Sequence, residues 1–247
     1  MNDAKKKTIH KVGIIGAMTP EMDAIKDSIA NPHIEEISGI RFVRGTIHGI
    51  DVVAATCGIG KVFAGMCAQT MILTYRPDLI INVGVAGSLC KSLNIGDIAV
   101  AESVVQHDMD TSSIGKPVGM IWDIDEVYLP CSAEVTQMMA ACADALGFHH
   151  KTGVIATGDV FVQDDERKKS IAEAFGAIAC EMEGGGIGQV CYVNGVDFCI
   201  LRAISDNGDE EAQNEFLISL DMAADRATQV MDRFLSNLSI GRKVLRG

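Results

Sequence analysis

The chain has 247 residues, of which 48% are hydrophobic, 25 are glycine and 5 are proline. This composition is typical of an α/β protein with many tight turns between strands and helices, and it excludes a disordered chain. A formal net charge of −12 argues against nucleic acid or an anionic membrane as the main partner. No window is apolar over the length of a membrane-spanning helix, and Thr19-Pro20-Glu21 stops the first apolar run before it reaches signal-peptide length.

Apolar periodicity divides the chain into alternating strands and helices. Thr19 and Pro20 are predicted as the N-cap and first-turn residues of the first helix, and a hairpin is predicted to turn at His48-Gly49. The continuous apolar run 78–87 is typical of a strand buried on both faces. The other predictions are strands over 11–17, 152–162, 177–183 and 197–206, one or two strands within 96–107, helices over 58–75, 132–147, 164–175, 185–195 and 211–238, and no clear period over 108–130.

A length of 247 residues is compatible with one large domain or two small ones. Strands and helices alternate to the end, however, with no linker, repeat or low-complexity segment between them. This order predicts one α/β domain over residues 9–247, built on a twisted and largely parallel sheet, after a flexible N-terminal tail over 1–8.

The eight cysteines indicate a reducing compartment. They form no C-x-x-C pair, and most of them lie inside apolar runs. Thiols in such runs behave as small buried hydrophobic side chains, and disulfides are rare in the cytosol. The sequence therefore predicts a cytoplasmic protein with free thiols and no disulfide framework, zinc site or cofactor.

Three segments resemble ligand-binding motifs but lack residues that the complete motifs require. "CGIGKV" resembles a phosphate-binding P-loop, but Ala55 and Val62 stand where that motif needs glycine and serine or threonine. "GGGIGQ" has Gln189 where the dinucleotide-binding motif has its last glycine. "HDMD" at 107–110 has no second histidine or cysteine cluster nearby, so we interpret it as a polar loop rather than a metal site. These glycines are more typical of close approach of the backbone to a ligand or to a neighbouring strand.

Four charged residues stand at the ends of apolar strands or in the turns after them. Each has an ordinary structural explanation: Glu21 and Glu183 suit the start of a helix, and Asp206 suits the first position of a turn. Arg202 lies inside the apolar run "FCILRAISD", where a solvated side chain is unusual, so an ion pair is expected. Open α/β sheets bind ligands at the carboxyl ends of their strands, so the coincidence of all four favours an active site.

A set of segments along nearly the whole chain resembles the 5′-methylthioadenosine/S-adenosylhomocysteine nucleosidases, within the wider nucleoside phosphorylase family. The combination of the first segment, the E-M-E segment and the final R-A-I-S-D is specific. The resemblance implies a three-layer α/β/α sandwich with a twisted, mixed, largely parallel central sheet. The segments are "GIIGAMTPEM" (13–22), "CGIGKV" (57–62), "INVGVAG" (81–87), "GDIAV" (96–100), "HDMD" (107–110), "TGDVFV" (157–162), "CEMEGGGIGQVC" (180–191) and "LRAISD" (201–206).

The family reaction is hydrolysis of the N9–C1′ bond of an adenine nucleoside, with water as the second substrate. The resemblance implies Asp206 as the acid that protonates adenine N7, Glu21 as the base that activates water, and Glu183 as the partner of the ribose hydroxyls. The bare glycine backbone after Glu183 is expected to make room for the sugar. For Glu181 we expect only a helix-dipole contact or pairing with a neighbour of the site. The other residues that the resemblance places at the substrate are Ala17, Val85, Gly87, Phe161 (stacked on the base), Val162 (reading the base edge through its backbone), Met182, Arg202 and Ser205.

The chemistry of the bond agrees with these roles. Cleavage passes through an oxocarbenium-like sugar and needs an acid at the leaving group and a base for water. Hydrolysis is favoured over phosphorolysis because a phosphate needs arginine near its oxygens, whereas the turn after the first strand has Glu21 and no arginine before residue 41. Two alternatives stay open: a phosphorylase of purine or other nucleosides with the same fold, and a non-catalytic nucleoside-binding protein, against which a matched acid and base argue.

Three features depart from the family pattern. Val85 stands where the family often has serine, so one polar contact near the sugar or water is absent. Glycines at 184–186 are expected to loosen the start of the following helix. In the family's dimers the loop 108–122 helps to cover the neighbour's 5′ substituent, and here Ile114 and Lys116 replace common aromatic residues, which leaves the preferred 5′ group open. A homodimer is expected, because several apolar residues of the loop are more easily buried against a partner than exposed: Ile114, Met120, Ile121 and Trp122.

Overall fold

The computed structural model describes residues 8–246, with side chains described up to residue 241. The predicted tail, 1–8, lies outside the described residues except for Thr8. The strands are β1 (Lys11–Gly16), β2 (Ala30–Ile37), β3 (Ile40–Ile47), β4 (Ile50–Thr56), β5 (Leu79–Ser88), β6 (Ile98–Gln106), β7 (Leu129–Pro130), β8 (His150–Thr157), β9 (Ala177–Glu181) and β10 (Asp197–Asp206). The helices are α1 (Thr19–Asp27), α2 (Lys61–Tyr75), α3 (Ala133–Ala145), α4 (Asp165–Phe175), α5 (Gly184–Asn194) and α6 (Ala212–Arg246), with a short 3₁₀ turn at Ser112–Ile114.

The strands form one mixed, twisted sheet. β1 lies between β4 and β5 and is parallel to both, and β3 and β2 extend the sheet beyond β4 as antiparallel neighbours. β10 runs parallel to β5 and antiparallel to β6, and β8 runs parallel to β6 and β9. β9 returns antiparallel to β5, so β5, β10, β6, β8 and β9 close into a ring beside the open part of the sheet.

Helices cover both faces of this sheet, which confirms the predicted three-layer α/β/α architecture. One core lies under α1, α3 and α6, where Ile14 and Phe234 are fully buried. The opposite core lies under α2 and α5, around Met71 and Ile200. Every residue of β5 is buried, as its continuous apolar run predicts. Within the described residues no helix is long and apolar enough to cross a membrane.

Several predicted boundaries differ from the structure. The predicted strand 152–162 ends at Thr157, because residues 158–162 leave the sheet as a loop that reaches the site described below. The predicted strand 177–183 ends at Glu181. The mostly exposed β2 had no prediction, since an edge strand of polar residues has little apolar alternation to reveal it.

The N-terminus of α1 also differs from the prediction. The helix begins at Thr19, and its N-cap is Met18 rather than Thr19. The Glu21 side chain, at the third position of the helix, accepts the backbone N–H of the N-cap residue Met18 at 2.8 Å, as the glutamate of a capping box does.

The loop 108–122 only partly fulfils its prediction. Ile121 is 3% exposed and packs in the core of its own chain, so the expectation that it needs a partner for burial is wrong. Ile114 and Trp122 are 65% and 47% exposed, and Lys116 lies over the Trp122 ring at 5.4 Å. The eight cysteines are free thiols, and all except Cys90 are buried.

Candidate active site

A cavity opens where β1, β5, β9 and β10 end, which is where open α/β sheets bind small molecules. The structure brings every predicted site residue except Arg202 to its wall, and Arg202 lies buried behind it. The lining residues are Ala17, Met18, Glu21, Ile59, Val85, Ala86, Gly87, Val160, Phe161, Val162, Cys180, Glu181, Met182, Glu183, Ser205, Asp206 and Phe216.

Glu21 is held rigidly at the floor of the cavity. Its Oε2 accepts the backbone N–H groups of Ala17 and Met18, both at 2.8 Å, and its Oε1 accepts that of Val85 at 3.1 Å. Burial raises the pKa of Glu21, against the opposing effects of the Arg202 charge and these hydrogen bonds. A fixed carboxylate with a raised pKa is suited to take a proton from water.

Arg202 forms the predicted ion pair, and it does so with two carboxylates. Its guanidinium contacts Glu181 and the Asn82 side-chain oxygen closely and lies 3.5 Å from Glu183. Both carboxylates and the guanidinium are almost completely buried. Removing one member of such a group leaves an uncompensated buried charge, which is strongly destabilising.

Glu181 receives a definite role from the structure. In addition to its ion pair with Arg202, its Oε2 accepts the backbone N–H groups of Glu183 at 3.0 Å and Gly184 at 2.7 Å, at the start of α5. The Thr157 hydroxyl donates to its other oxygen. The sequence left two interpretations of Glu181 open, a contact with the helix dipole and pairing with a neighbour of the site. Both are confirmed.

Asp206 is the last residue of β10, and its side chain lines the cavity. The Ser205 hydroxyl donates to its Oδ2 at 2.8 Å, and the Gly208 N–H donates to its Oδ1 at 2.9 Å. Burial raises the pKa of Asp206 in spite of these two hydrogen bonds. A Cβ on Gly87 would lie 2.8 Å from Oδ1, so glycine at this position makes space for the carboxyl group.

Apolar side chains complete the wall. Phe161 is 41% exposed, and its ring meets Phe216 edge to face at a centroid distance of 5.7 Å. Val162 and Met182 line the cavity beside it. Phe216 comes from α6 and had no prediction, because the helical period explains it as an ordinary apolar residue. Ile59 and Cys180 were missed for a similar reason, since nothing local distinguishes them from core residues.

The glycines after Glu183 do not make room for a sugar, which corrects the prediction. A Cβ on Gly185 would lie 2.9 Å from Thr157 Cβ, and one on Gly186 would lie 2.7 Å from the Lys61 carbonyl oxygen of α2. The glycines therefore allow close packing of protein elements. The start of α5 is also not loosened, because Glu181 accepts its first N–H groups and Thr157 accepts that of Gly185 at 2.7 Å.

Glu183 gives a pH-dependent stability prediction. Burial raises its pKa from an ordinary 4.5 to about 7. Between these values the folded state binds more protons than the unfolded state, so this group makes folding less favourable as the pH rises from about 4.5 to about 7. We expect Glu183→Gln to remove that dependence, so that the Tm of the variant minus that of the wild type becomes more positive from pH 5 to pH 8. Thermal melts check it, and a difference that is constant or falls with pH contradicts it.

Comparisons with known proteins agree with the fold and the cavity. The family model of the phosphorylase superfamily matches residues 11–236. A 5′-methylthioadenosine/S-adenosylhomocysteine nucleosidase of Shewanella sediminis is 40% identical over 83% of this chain and 90% of its own length. A Helicobacter pylori MTAN mutant, solved with 5′-methylthioadenosine in the active site, superposes with a TM-score of 0.89 at 34% identity, over 92% of this chain and 99% of that one. Futalosine hydrolase of the same organism superposes with a TM-score of 0.88 at 34% identity, over 93% and 98% of the two chains.

These matches are consistent with the geometry of the site. They cover the segments that carry the cavity, from β1 to α6. The chain belongs to the phosphorylase superfamily and, within it, to the 5′-methylthioadenosine/S-adenosylhomocysteine nucleosidase family.

Proposed function

We propose that this protein hydrolyses the N-glycosidic bond of 5′-substituted adenine nucleosides, such as 5′-methylthioadenosine and S-adenosylhomocysteine, and releases adenine. The observation that carries the proposal is that one cavity is lined by two buried carboxyl groups, Glu21 and Asp206, each with a raised pKa and a different set of hydrogen bonds. Two such groups in separate environments are what an acid and a base in one reaction need. The names of the Shewanella sediminis and Helicobacter pylori relatives support the same substrate class.

In the proposed reaction Asp206 is the general acid. It donates a proton to adenine N7, and the electron pair of the N9–C1′ bond moves to N9 of adenine as that bond breaks. Its raised pKa keeps a proton available at the leaving group. The Ser205 hydroxyl, 2.8 Å from Oδ2, fixes the orientation of the carboxyl group.

Glu21 is the proposed general base. Water attacks C1′ of the oxocarbenium-like sugar, and its proton passes to Glu21 as the new C–O bond forms. The three backbone N–H groups around Glu21 fix both carboxylate oxygens, which limits the orientations from which water can approach. The products are adenine and the free 5-substituted ribose.

The remaining wall would hold the sugar and the base. Glu183 is proposed to accept hydrogen bonds from the ribose hydroxyls and to place negative charge near the developing cation. Phe161 is proposed to stack on adenine, with the Val162 backbone at the base edge and Met182 and Gly87 beside the ribose and base. These roles are supported by the position of all five residues on one cavity wall.

The electrostatics favour water over phosphate as the attacking group. The Arg202 charge acts on Glu21 and Glu183, but its guanidinium is already engaged by Glu181, Glu183 and Asn82. A phosphate beside Glu21 would meet negative charge without a free arginine fork to bind its oxygens. Among the described residues that surround Glu21, the phosphorylase alternative therefore has no free arginine to bind its second substrate.

An assay of free adenine across a panel of 5′-substituted adenosines tests the proposal. The panel contains 5′-methylthioadenosine, S-adenosylhomocysteine, 5′-deoxyadenosine and adenosine, with inosine as the control for the base. We expect adenine from the 5′-substituted members and no release of hypoxanthine from inosine. Tight binding of these nucleosides without release of any base would instead identify a binding protein.

The preferred 5′ substituent is the first prediction within this function. Ile114 and Lys116 replace aromatic residues in the loop proposed to cover the 5′ group, so stacking on a thioalkyl group should be weak. The similarity to a futalosine hydrolase supports a preference for another substituent. We expect kcat/KM for 5′-methylthioadenosine not to exceed the values for 5′-deoxyadenosine and S-adenosylhomocysteine by a wide margin. A large excess for 5′-methylthioadenosine would show that this loop does not determine the choice.

A homodimer is the second prediction. It is supported by the exposure of Ile114 and Trp122 on the loop, and of Val62, Met66 and Val193 on the adjoining helices α2 and α5. Val62, Met66 and Val193 lie along one groove, and exposed apolar side chains that lie together commonly mark an interaction surface. Light scattering at micromolar concentration should give the mass of two chains. A fully active monomer at that concentration would count against the loop covering a neighbour's 5′ pocket.

We also propose that the enzyme acts in the cytoplasm. Its eight cysteines are unpaired, and seven of them are buried. Disulfides form and persist mainly in oxidising compartments, so eight free thiols support a reducing one. Fractionation of cells that produce the protein with its natural start should recover the activity with cytosolic markers.

A further inference from the structure

The N-terminus of α2 is capped by residues from other parts of the chain. Its N-cap, Gly60, has no side chain to accept a hydrogen bond. Instead the Gly60 N–H donates to Glu183 Oε1 at 2.9 Å, and the next N–H, that of Lys61, donates to Asp159 Oδ1 at 2.8 Å. Two carboxylates thus satisfy donors that the start of a helix leaves free, at the end where the helix dipole favours negative charge.

A third carboxylate completes this arrangement outside the cavity. Lys61 Nζ lies 2.5 Å from Asp108 Oδ1, and the Asp159 N–H donates to Asp108 Oδ2 at 2.9 Å. We call Lys61, Asp108 and Asp159 the outer clamp. Although partial burial works in the opposite direction, the hydrogen bonds from Lys61 and Asp159 lower the pKa of Asp108, so Asp108 is charged at neutral pH.

The outer clamp connects the segments that carry the site. Asp159 precedes Phe161 by two residues, and both Phe161 and Val162 line the cavity. Lys61 directly follows Gly60, whose N–H fixes Glu183. Gly60 has a φ of +99° and a Cβ there would lie 3.1 Å from Asp159 Oδ1, so the backbone takes a position that a larger residue would disturb.

We propose that Asp159 is a positioning residue for the reaction: it holds the N-terminus of α2 so that the Gly60 N–H fixes Glu183 against the ribose. None of the clamp residues lines the cavity with Glu21, Glu183 and Asp206. The inference rests on the proposed function, because it assigns Glu183 to the sugar hydroxyls. It adds residues outside the cavity that determine how well Glu183 is aligned.

The test compares Asp159→Ala with Asp159→Asn and with a matched control. Alanine removes the acceptor for the Lys61 N–H, whereas asparagine keeps an oxygen in that place. The control is Asp164→Ala, which also removes an aspartate that caps a helix, since Asp164 accepts the Arg167 N–H at 2.7 Å at the start of α4. Misplacing a group at a site by about 1 Å can cost about 100-fold in rate, so we expect Asp159→Ala to lose between about 10-fold and 100-fold in kcat/KM for adenine release. Asp159→Asn should recover most of that loss, and Asp164→Ala should lower Tm with kcat/KM near the wild-type value.

A pH profile separates positioning from general destabilisation. The groups that face Glu183 are Arg202, Glu181, Glu21 and the Gly60 N–H, with the Cys57 thiol nearby. The Gly60 hydrogen bond lowers the pKa of Glu183, so a misplaced Gly60 should raise it above about 7. The acidic limb of kcat/KM should therefore move to higher pH in Asp159→Ala, and remain in place in Asp159→Asn and Asp164→Ala.

The outcomes are distinguishable from those of the proposed function. If the wild-type protein releases no adenine, the proposed function itself is wrong. Active wild type, together with an Asp159→Ala variant of unchanged kcat/KM and unshifted acidic limb, overturns the positioning role alone. If Asp159→Ala does not fold, Asp108→Ala decides the question, because it removes the acceptor of the Asp159 N–H and so loosens the same clamp. The same direction of shift supports the role, and an unchanged profile overturns it.

Discussion

An Asp206→Asn variant should lose turnover and keep its affinity for substrate. Asparagine has nearly the same shape and can still accept the Gly208 N–H, which lies 2.9 Å from Oδ1. It has no proton to transfer to adenine N7. General acids contribute about 10²-fold to 10⁴-fold, and we expect a loss of at least that size because adenine is a poor leaving group without protonation. Single-turnover assays measure the loss, and calorimetry with 5′-methylthioadenosine measures the affinity.

A purely structural role for Asp206 predicts the opposite result. Asparagine is as good a turn residue as aspartate, so a purely structural role predicts almost unchanged turnover in the variant. Ser205→Ala serves as the control, because it removes the hydroxyl that donates to Asp206 Oδ2 at 2.8 Å while leaving the carboxyl group in place. A much smaller loss is expected for it. Near-normal turnover of Asp206→Asn would exclude Asp206 as the acid.

A Glu21→Gln variant should also lose turnover, because water is no longer activated, although the leaving adenine can still be protonated. Both oxygens of Glu21 accept backbone N–H groups, from Ala17, Met18 and Val85. The amide has one oxygen, so one of its ends would point an NH₂ group at a backbone donor, and Tm should fall as well. The expected loss in kcat is about 10²-fold to 10⁴-fold.

A substrate with an activated leaving base separates the two variants. Its departure needs less help from an acid, so it should partly restore turnover in Asp206→Asn. Attack by water is unaffected by this change, and Glu21→Gln should therefore remain slow. Equal rescue of both variants, or rescue of Glu21→Gln alone, would contradict the assignment of acid and base.

Much of the site could be predicted because strand ends determine where side chains meet. The strand Asp197–Asp206 was predicted with the bounds that the structure shows, and its position next to β5 brings Asp206 beside Gly87. Glu21 follows the first strand, and β1 is the second strand that runs parallel to β5. Residues at the carboxyl ends of adjacent parallel strands lie close together whatever the details of the connections.

The parts that could not be predicted depend on contacts between distant segments. Nothing in the local pattern of β9 shows that it returns antiparallel to β5 and closes a ring. The sequence predicts that Gly186 leaves space for a ligand, whereas the structure shows that it packs against Lys61 of α2. Asp159 and Phe216 likewise have ordinary local explanations, a loop residue and a helix residue. The fold places Phe216 in the lining of the cavity and Asp159 at the start of α2.

Product analysis in the absence of phosphate tests the central claim most directly. The protein is incubated with 5′-methylthioadenosine in phosphate-free buffer, and the products are separated and identified by mass. The account predicts adenine together with free 5-methylthioribose, at a rate that added phosphate does not increase, because Glu21 activates water and Arg202 is occupied by Glu181 and Glu183. Formation of 5-methylthioribose 1-phosphate, with turnover only when phosphate is present, would contradict it.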